Sequence, residues 1–125
     1  MTSPFSGRRI LVVEDEYLLA ECLREMLRGD GAEVLGPASC VEDANALLDR
    51  HPAPDAAVLD INLGRQDVYP VADRLSGQGI PFLFTTGYDH GLIPARHAQR
   101  LQCVKPFGAD DIRALLLELL GGDAR

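Results

Sequence analysis

The chain carries one lysine, Lys105, against eleven arginines, and its 125 residues have a net charge of −7. A chain this acidic has no basic face to offer, which argues against nucleic acid and anionic membrane surfaces as partners. The three cysteines, Cys22, Cys40 and Cys103, are odd in number and form no CxxC pair. They are expected to be reduced and buried, in a cytoplasmic protein. The segment from Met1 to Arg9 has no apolar stretch of the secretory kind, and no run reaches membrane-span length. A GxGxxG, a P-loop and a serine or cysteine nucleophile motif are all missing. His51, His90 and His97 show no metal spacing and are expected on the surface. The excess of arginine over lysine by itself fits a GC-rich genome.

What is present is 46 % hydrophobic residues, enough for one globular domain with a real core. Short apolar runs alternate with segments of helical period five times. Strands are expected at residues 8–13, 32–35, 55–61, 80–85 and 101–104. Helices are expected at 15–28, 40–50, 68–76 and 109–120. In the first helix the apolar positions are Leu18, Leu19, Cys22, Leu23, Met26 and Leu27. Gly36-Pro37 is expected to stop the second strand. Asp67 is placed to cap the third helix, with Pro70 in its first turn. Residues 62–66 and 87–93 read as loops, and a short helix can start at Pro94. Five βα units predict a parallel sheet with helices on both faces, an α/β doubly wound fold.

Three of the apolar runs end on residues useful to phosphoryl chemistry. Ile10 to Val13 runs into Glu14-Asp15-Glu16, Ala56 to Leu59 into Asp60, and Leu101 to Val104 into Lys105-Pro106. In an open α/β sheet, ligands bind outside the carboxyl ends of the strands. Mg²⁺ takes about six oxygens and usually only one or two carboxylates. Asp15 and Asp60 can supply those carboxylates, Glu14 can reach through water, and the backbone carbonyl of Asn62 can curl back. The competing reading is that acids after strands cap the next helix. That is credible for Asp15 and weaker for Asp60, where four residues precede any helix. Thr86 and Gly87, after the fourth strand, offer a hydroxyl and an amide to phosphoryl oxygens. Lys105 can pair with Asp60.

These motifs resemble the receiver domain of bacterial two-component response regulators. The matching pieces are LVVEDE at 11–16, VLDINLG at 58–64, FTTG at 84–87 and VKPF at 104–107, in that order. The resemblance covers about residues 8–120. It implies a flavodoxin-like strand order 2-1-3-4-5, with Asp60 as phosphoacceptor and Glu14 and Asp15 as the acidic pair for Mg²⁺. Thr86 would be the switch hydroxyl and Lys105 the essential lysine. The stretch from Pro81 to Tyr88, PFLFTTGY, is also similar to the PFxFATGY of the FATGUY receivers, with Thr85 in place of Ala. Receivers mostly carry an aromatic switch residue three before the lysine. Here that position is Gln102, and Tyr88 is the candidate to take over, a swap that FATGUY receivers share.

The expected function is that of a stand-alone receiver. Asp60 accepts a phosphoryl group from a phosphohistidine on a histidine kinase or histidine phosphotransfer protein. The chain's end soon after the last helix is taken to leave no room for a DNA-binding output domain, so output goes through protein contacts. Phosphorylation-dependent dimerisation stays open. Ile112, Leu115, Leu116 and Leu119 make a core stripe on the last helix. Ala114 and Leu117 lie outside it and, with Gln102, are the candidate partner face; Leu120 sits at its margin. Two other readings compete. One is an aspartyl-phosphate hydrolase of small phosphoesters, which needs a second Asp where this chain has Asn62. The other is a binding module that works without phosphorylation.

Overall fold

The structure, a computed structural model, describes residues 3–87 and 93–122. The elements in chain order are β1 (Arg9–Val13), α1 (Tyr17–Gly29), β2 (Glu33–Ala38), α2 (Val41–Arg50), β3 (Ala56–Asp60), β4 (Asn62–Leu63) and β5 (Gln66–Asp67). They continue with α3 (Tyr69–Gly77), β6 (Phe82–Thr86), a 3₁₀ turn (Ala95–His97), β7 (Gln102–Val104) and α4 (Ala109–Gly122). Five strands form one parallel sheet in the order β2-β1-β3-β6-β7. Numbered among themselves, these strands run 2-1-3-4-5, the flavodoxin-like order. The order reverses between β1 and β3, and the crevice at such a switch point is where ligands bind.

Strand alternation divides the core into two layers. Leu11, Val13, Leu59, Phe82 and Phe84 pack with Ala44 and Leu48 of α2 and Val71, Ala72 and Leu75 of α3. Ile10, Val12, Val58 and Leu83 pack on the opposite face with Leu23 and Leu27 of α1 and Ile112, Leu116 and Leu120 of α4. β1 and β3 are buried on both faces, which is why they read as unbroken apolar runs.

Several expectations are corrected. β2 does not stop at Gly36-Pro37 but runs through it to Ala38. It is an edge strand, where a missing N–H is tolerated, and its register shifts between Leu11 and Val13 of β1. The 62–66 segment is not a plain loop: β4 and β5 close an antiparallel hairpin. Asp67 does serve α3, its Oδ1 accepting the Tyr69 N–H at 3.2 Å. In α1, Leu18 is 77 % exposed and Cys22 is exposed as well, flanking a stripe through Ala20, Leu23 and Leu27. Of the cysteines only Cys103 is buried; Cys40 is half-buried. Leu120 belongs to the core and Leu117 stays 44 % exposed, while Leu115 and Leu119 are half-buried.

His97 is buried, not a surface residue. Its Nε2 lies 2.8 Å from Oδ1 of Asp73, and its ring sits among Tyr69, Phe82 and Phe84. Arg96 also binds Asp73, at 2.7 Å, so the 3₁₀ turn is fastened to α3. All these neighbours are distant in sequence, so no local pattern announces them. His51 is half-buried, and His90 lies outside the described residues.

The segment before β1 is part of the domain. Phe5 is fully buried against the α1–α4 layer, and its N–H donates to the Asp30 carbonyl at 2.9 Å. Removing a buried phenyl ring costs about 3–5 kcal/mol. Phe5→Ala is expected to lose an amount in that range in urea unfolding, whereas a change under about 1 kcal/mol would mean the segment is dispensable.

Candidate functional site

The sheet's carboxyl edge gathers the chemistry. Val13 pairs with Leu59 and Asp60 with Thr85, so the residues after β1, β3 and β6 emerge at one level. The Glu14 N–H still donates to the Ala38 carbonyl, at 2.9 Å, before the chain turns into α1. Lys105 is brought in from the far side by its own N–H, which donates to the Thr86 carbonyl at 2.7 Å.

Glu14 and Asp60 are buried, and Asp15 is exposed at the mouth. Carboxylate oxygens of Glu14, Asp15 and Asp60 lie within 4.8 Å of one another. The Lys105 ammonium donates to Oε2 of Glu16 at 3.0 Å, Oδ2 of Asp60 at 3.2 Å and Oε2 of Glu14 at 3.4 Å. Asp60 Oδ1 accepts the Asn62 N–H at 3.4 Å, and Glu14 Oε2 accepts the Glu16 N–H at 3.2 Å. The N-cap of α1 is Glu16 rather than Asp15, and it makes no side-chain cap bond.

Four acids crowd one ammonium, and the imbalance appears in their proton affinities. Burial first, then the hydrogen bond and repulsion from Asp60, pushes Glu14 up to about 8. Burial and Asp60 also raise Asp15. Lys105 is held above its ordinary value: burial opposes its charge, but Glu16, Glu14 and Asp60 outweigh burial. Two like charges about 5 Å apart repel by roughly 3 kcal/mol at an effective dielectric of about 20. A second cation is what this arrangement lacks. Glu14 Oε1 is buried with no hydrogen-bond partner, and the donors are all hard oxygens, so the residues fit a divalent ion such as Mg²⁺.

The other sequence-derived candidates divide. Thr86 is buried at the end of β6, and its hydroxyl has no partner among the described residues. Thr85 beside it is the same, which the motif did not single out. Gly87 follows, but a Cβ there would meet nothing within 4 Å, so no close approach demands glycine. The Asn62 side chain is exposed and its Oδ1 accepts the Gly64 N–H at 3.0 Å. Tyr88 lies outside the described residues. Gln102 and Ala114 do not join the cluster: both line an open groove of about 420 Å³ between β7 and α4, with Val104 and Phe107. Leu117 is exposed farther along α4. Sequence reasoning missed Glu16 as a partner of Lys105; its only signal was a third acid in the run.

Residues 10–116 match the family model of the response regulator receiver domain. The chain belongs to that family. It is 34 % identical over 109 residues to the transcriptional regulatory protein PdtaR of Mycobacterium tuberculosis, covering 84 % of this chain and 53 % of PdtaR. Similarity to the sensory transduction protein LytT of Bacillus anthracis is also 34 %, over 83 % of this chain and 44 % of LytT. The chain thus spans about half the length of the curated relatives it matches. Among solved structures, the response regulator PhyR from Brucella abortus superposes with a TM-score of 0.83 at 27 % identity, covering 98 % of this chain and 51 % of that one. SdrG from Sphingomonas melonis Fr1 does so at 0.75 and 36 % identity, covering 95 % and 99 %. As a receiver domain, the chain is a component of two-component signalling, and among its described residues no helix is long and apolar enough to cross a membrane.

The raised Glu14 gives a pH dependence of definite sign. Between its ordinary 4.5 and about 8, the folded receiver holds a proton that the unfolded chain has released. Stability without metal is therefore expected to fall as pH rises through that window. Melting temperatures in EDTA should decline from about pH 5 to 8 more steeply than those of Glu14→Gln. Parallel slopes for parent and variant would refute the assignment.

Proposed function

We propose that Asp60 is the phosphoacceptor of this receiver. The observation that carries the reading is the position of Asp60: buried at the end of the central strand, with Lys105 Nζ at 3.2 Å and two further carboxylates beside it. An Asp60 oxygen attacks phosphorus, the new O–P bond forms as the P–N bond of a phosphohistidine breaks, and the imidazole leaves. Lys105 stays with the transferring oxygens as counter-charge. Asp15 and Asp60 would hold Mg²⁺, with Glu14 and the Asn62 carbonyl completing the oxygen set. Bound there, the ion neutralises phosphoryl charge and offsets the crowding of the acids.

The phosphoryl group adds about −1.5 to −2 charge. The unpartnered Thr86 hydroxyl then has an acceptor within the same edge of the sheet, and a buried hydroxyl without a partner costs about 1–3 kcal/mol. Tyr88, outside the described residues, is the switch aromatic that the resemblance of PFLFTTGY to the FATGUY receivers implies. Output goes to a protein through the face of β7 and α4, around Gln102, Ala114 and Leu117. PhyR from Bartonella quintana, 25 % identical to this chain, is described as an anti-anti-sigma factor, and this chain covers 49 % of it. The solved SdrG chain is covered to 99 %, so a receiver fold of this length stands alone in that structure. The phosphoesterase alternative is disfavoured because Asn62 stands where a general acid is needed.

Labelling by acetyl phosphate should require Mg²⁺ and be lost in Asp60→Ala; undiminished labelling of that variant would reject the phosphoacceptor. Leu117→Glu is expected to keep its melting temperature and its labelling while binding a downstream partner more weakly. Loss of folding would instead place Leu117 in the core.

A further inference from the structure

Helix α2 starts without a cap of its own. Its N-cap residue, Cys40, makes no side-chain capping bond, and a thiol is a weak acceptor. The Val41 N–H, one of the orphan donors of the first turn, instead donates to Oε1 of Gln66 at 2.8 Å. The same amide turns its Nε2 toward Oε1 of Glu42, at 3.5 Å. Gln66 is half-buried and comes from the hairpin that follows Asp60.

That hairpin borders the acid cluster. Asn62 pairs with Asp67 and Leu63 with Gln66, and the turn between is Gly64-Arg65. Gly64 has φ +77°, a conformation L side chains rarely adopt, and a Cβ built on it would lie 3.7 Å from Oδ2 of Asp15. The backbone of the turn therefore runs beside the exposed acid of the site. Strands of two residues do not hold a hairpin by themselves. Leu63 anchors it in the core, Asp67 ties its exit to α3, and Gln66 ties it to α2.

We propose that Gln66 is a positioning residue for the cation site: by clamping the β4–β5 hairpin to the first turn of α2, it holds the Asn62–Gly64 backbone in place beside Asp15 and Asp60. The inference rests on the reading of the acid cluster as a Mg²⁺ site. Mg²⁺ demands near-ideal octahedral geometry, so an oxygen supplied by the hairpin must not drift. Releasing the hairpin weakens binding while every carboxylate stays where it is. If Gln66 only caps α2, helix stability changes and metal affinity does not.

The test measures the Mg²⁺ dissociation constant by titration calorimetry, with metal-free melting and amide exchange at Val41 and Gly64 alongside. Gln66→Ala and Gln66→Met, the latter keeping side-chain length without an acceptor, should each raise the constant by about tenfold, the scale of one uncharged hydrogen bond. Gly64 exchange should quicken. Adding Cys40→Ser gives α2 a cap of its own and should restore the melting temperature while leaving the constant high. Gln66→Glu combined with Glu42→Gln keeps an acceptor for Val41 and a donor–acceptor pair with residue 42, and should recover affinity. Parental affinity in Gln66→Ala, or recovery by Cys40→Ser alone, would overturn the proposal and leave the cation site standing. Equal Mg²⁺ binding by the parent and Asp15→Asn would overturn both.

Discussion

Everything at the sheet edge depends on one ammonium placed among four carboxylates. Lys105 reaches Glu14, Glu16 and Asp60 together, and nothing else described contributes positive charge there. Burying charges such as those of Glu14 and Asp60 is costly unless each is compensated. Burial first, and then Asp60, raises the proton affinity of Glu14, and one of its buried oxygens has no partner among the described residues. The excess of acid is what makes the edge fit a divalent ion, whose charge would offset the crowding of the acids.

The fold delivers those groups with little local machinery. β1 and β3 adjoin at the point where the strand order reverses, so Glu14-Asp15 and Asp60 leave the sheet as neighbours. The parallel pairing of β6 with β3 and β7 sets Thr86 and Lys105 at the same height. The rigid part is the two-sided core. Two further segments are fastened onto it: the hairpin after Asp60, held by Gln66, Asp67 and the buried Leu63, and the 3₁₀ turn, held to α3 by Arg96 and the buried His97.

Much of this was legible in the chain. The βα alternation and the meeting of Asp15, Asp60, Thr86 and Lys105 at one edge follow from short apolar runs that end on chemically useful residues, and the resemblance to receivers implied the strand order. Both period and endpoint are local features, so a single sequence displays them. Asp67 at the start of α3 was readable for the same reason, since its bond to Tyr69 spans two residues.

Tertiary structure decided the rest, because the deciding contacts join residues far apart in the chain. His97 is buried only because Asp73 and three aromatic rings from α3 and β6 enclose it. β2 passes through Gly36-Pro37 only because it lies at the sheet edge, where no neighbour needs the missing N–H. Phe5, Glu16 and Gln66 look unremarkable in the sequence and acquire their roles from α1 and α4, from Lys105 and from the open end of α2. By itself the sequence determined which groups the strands would carry to one edge of the sheet. Only the packed structure decided how those groups share one ammonium, since burial and distance set the charge balance, and neither is a property of local sequence.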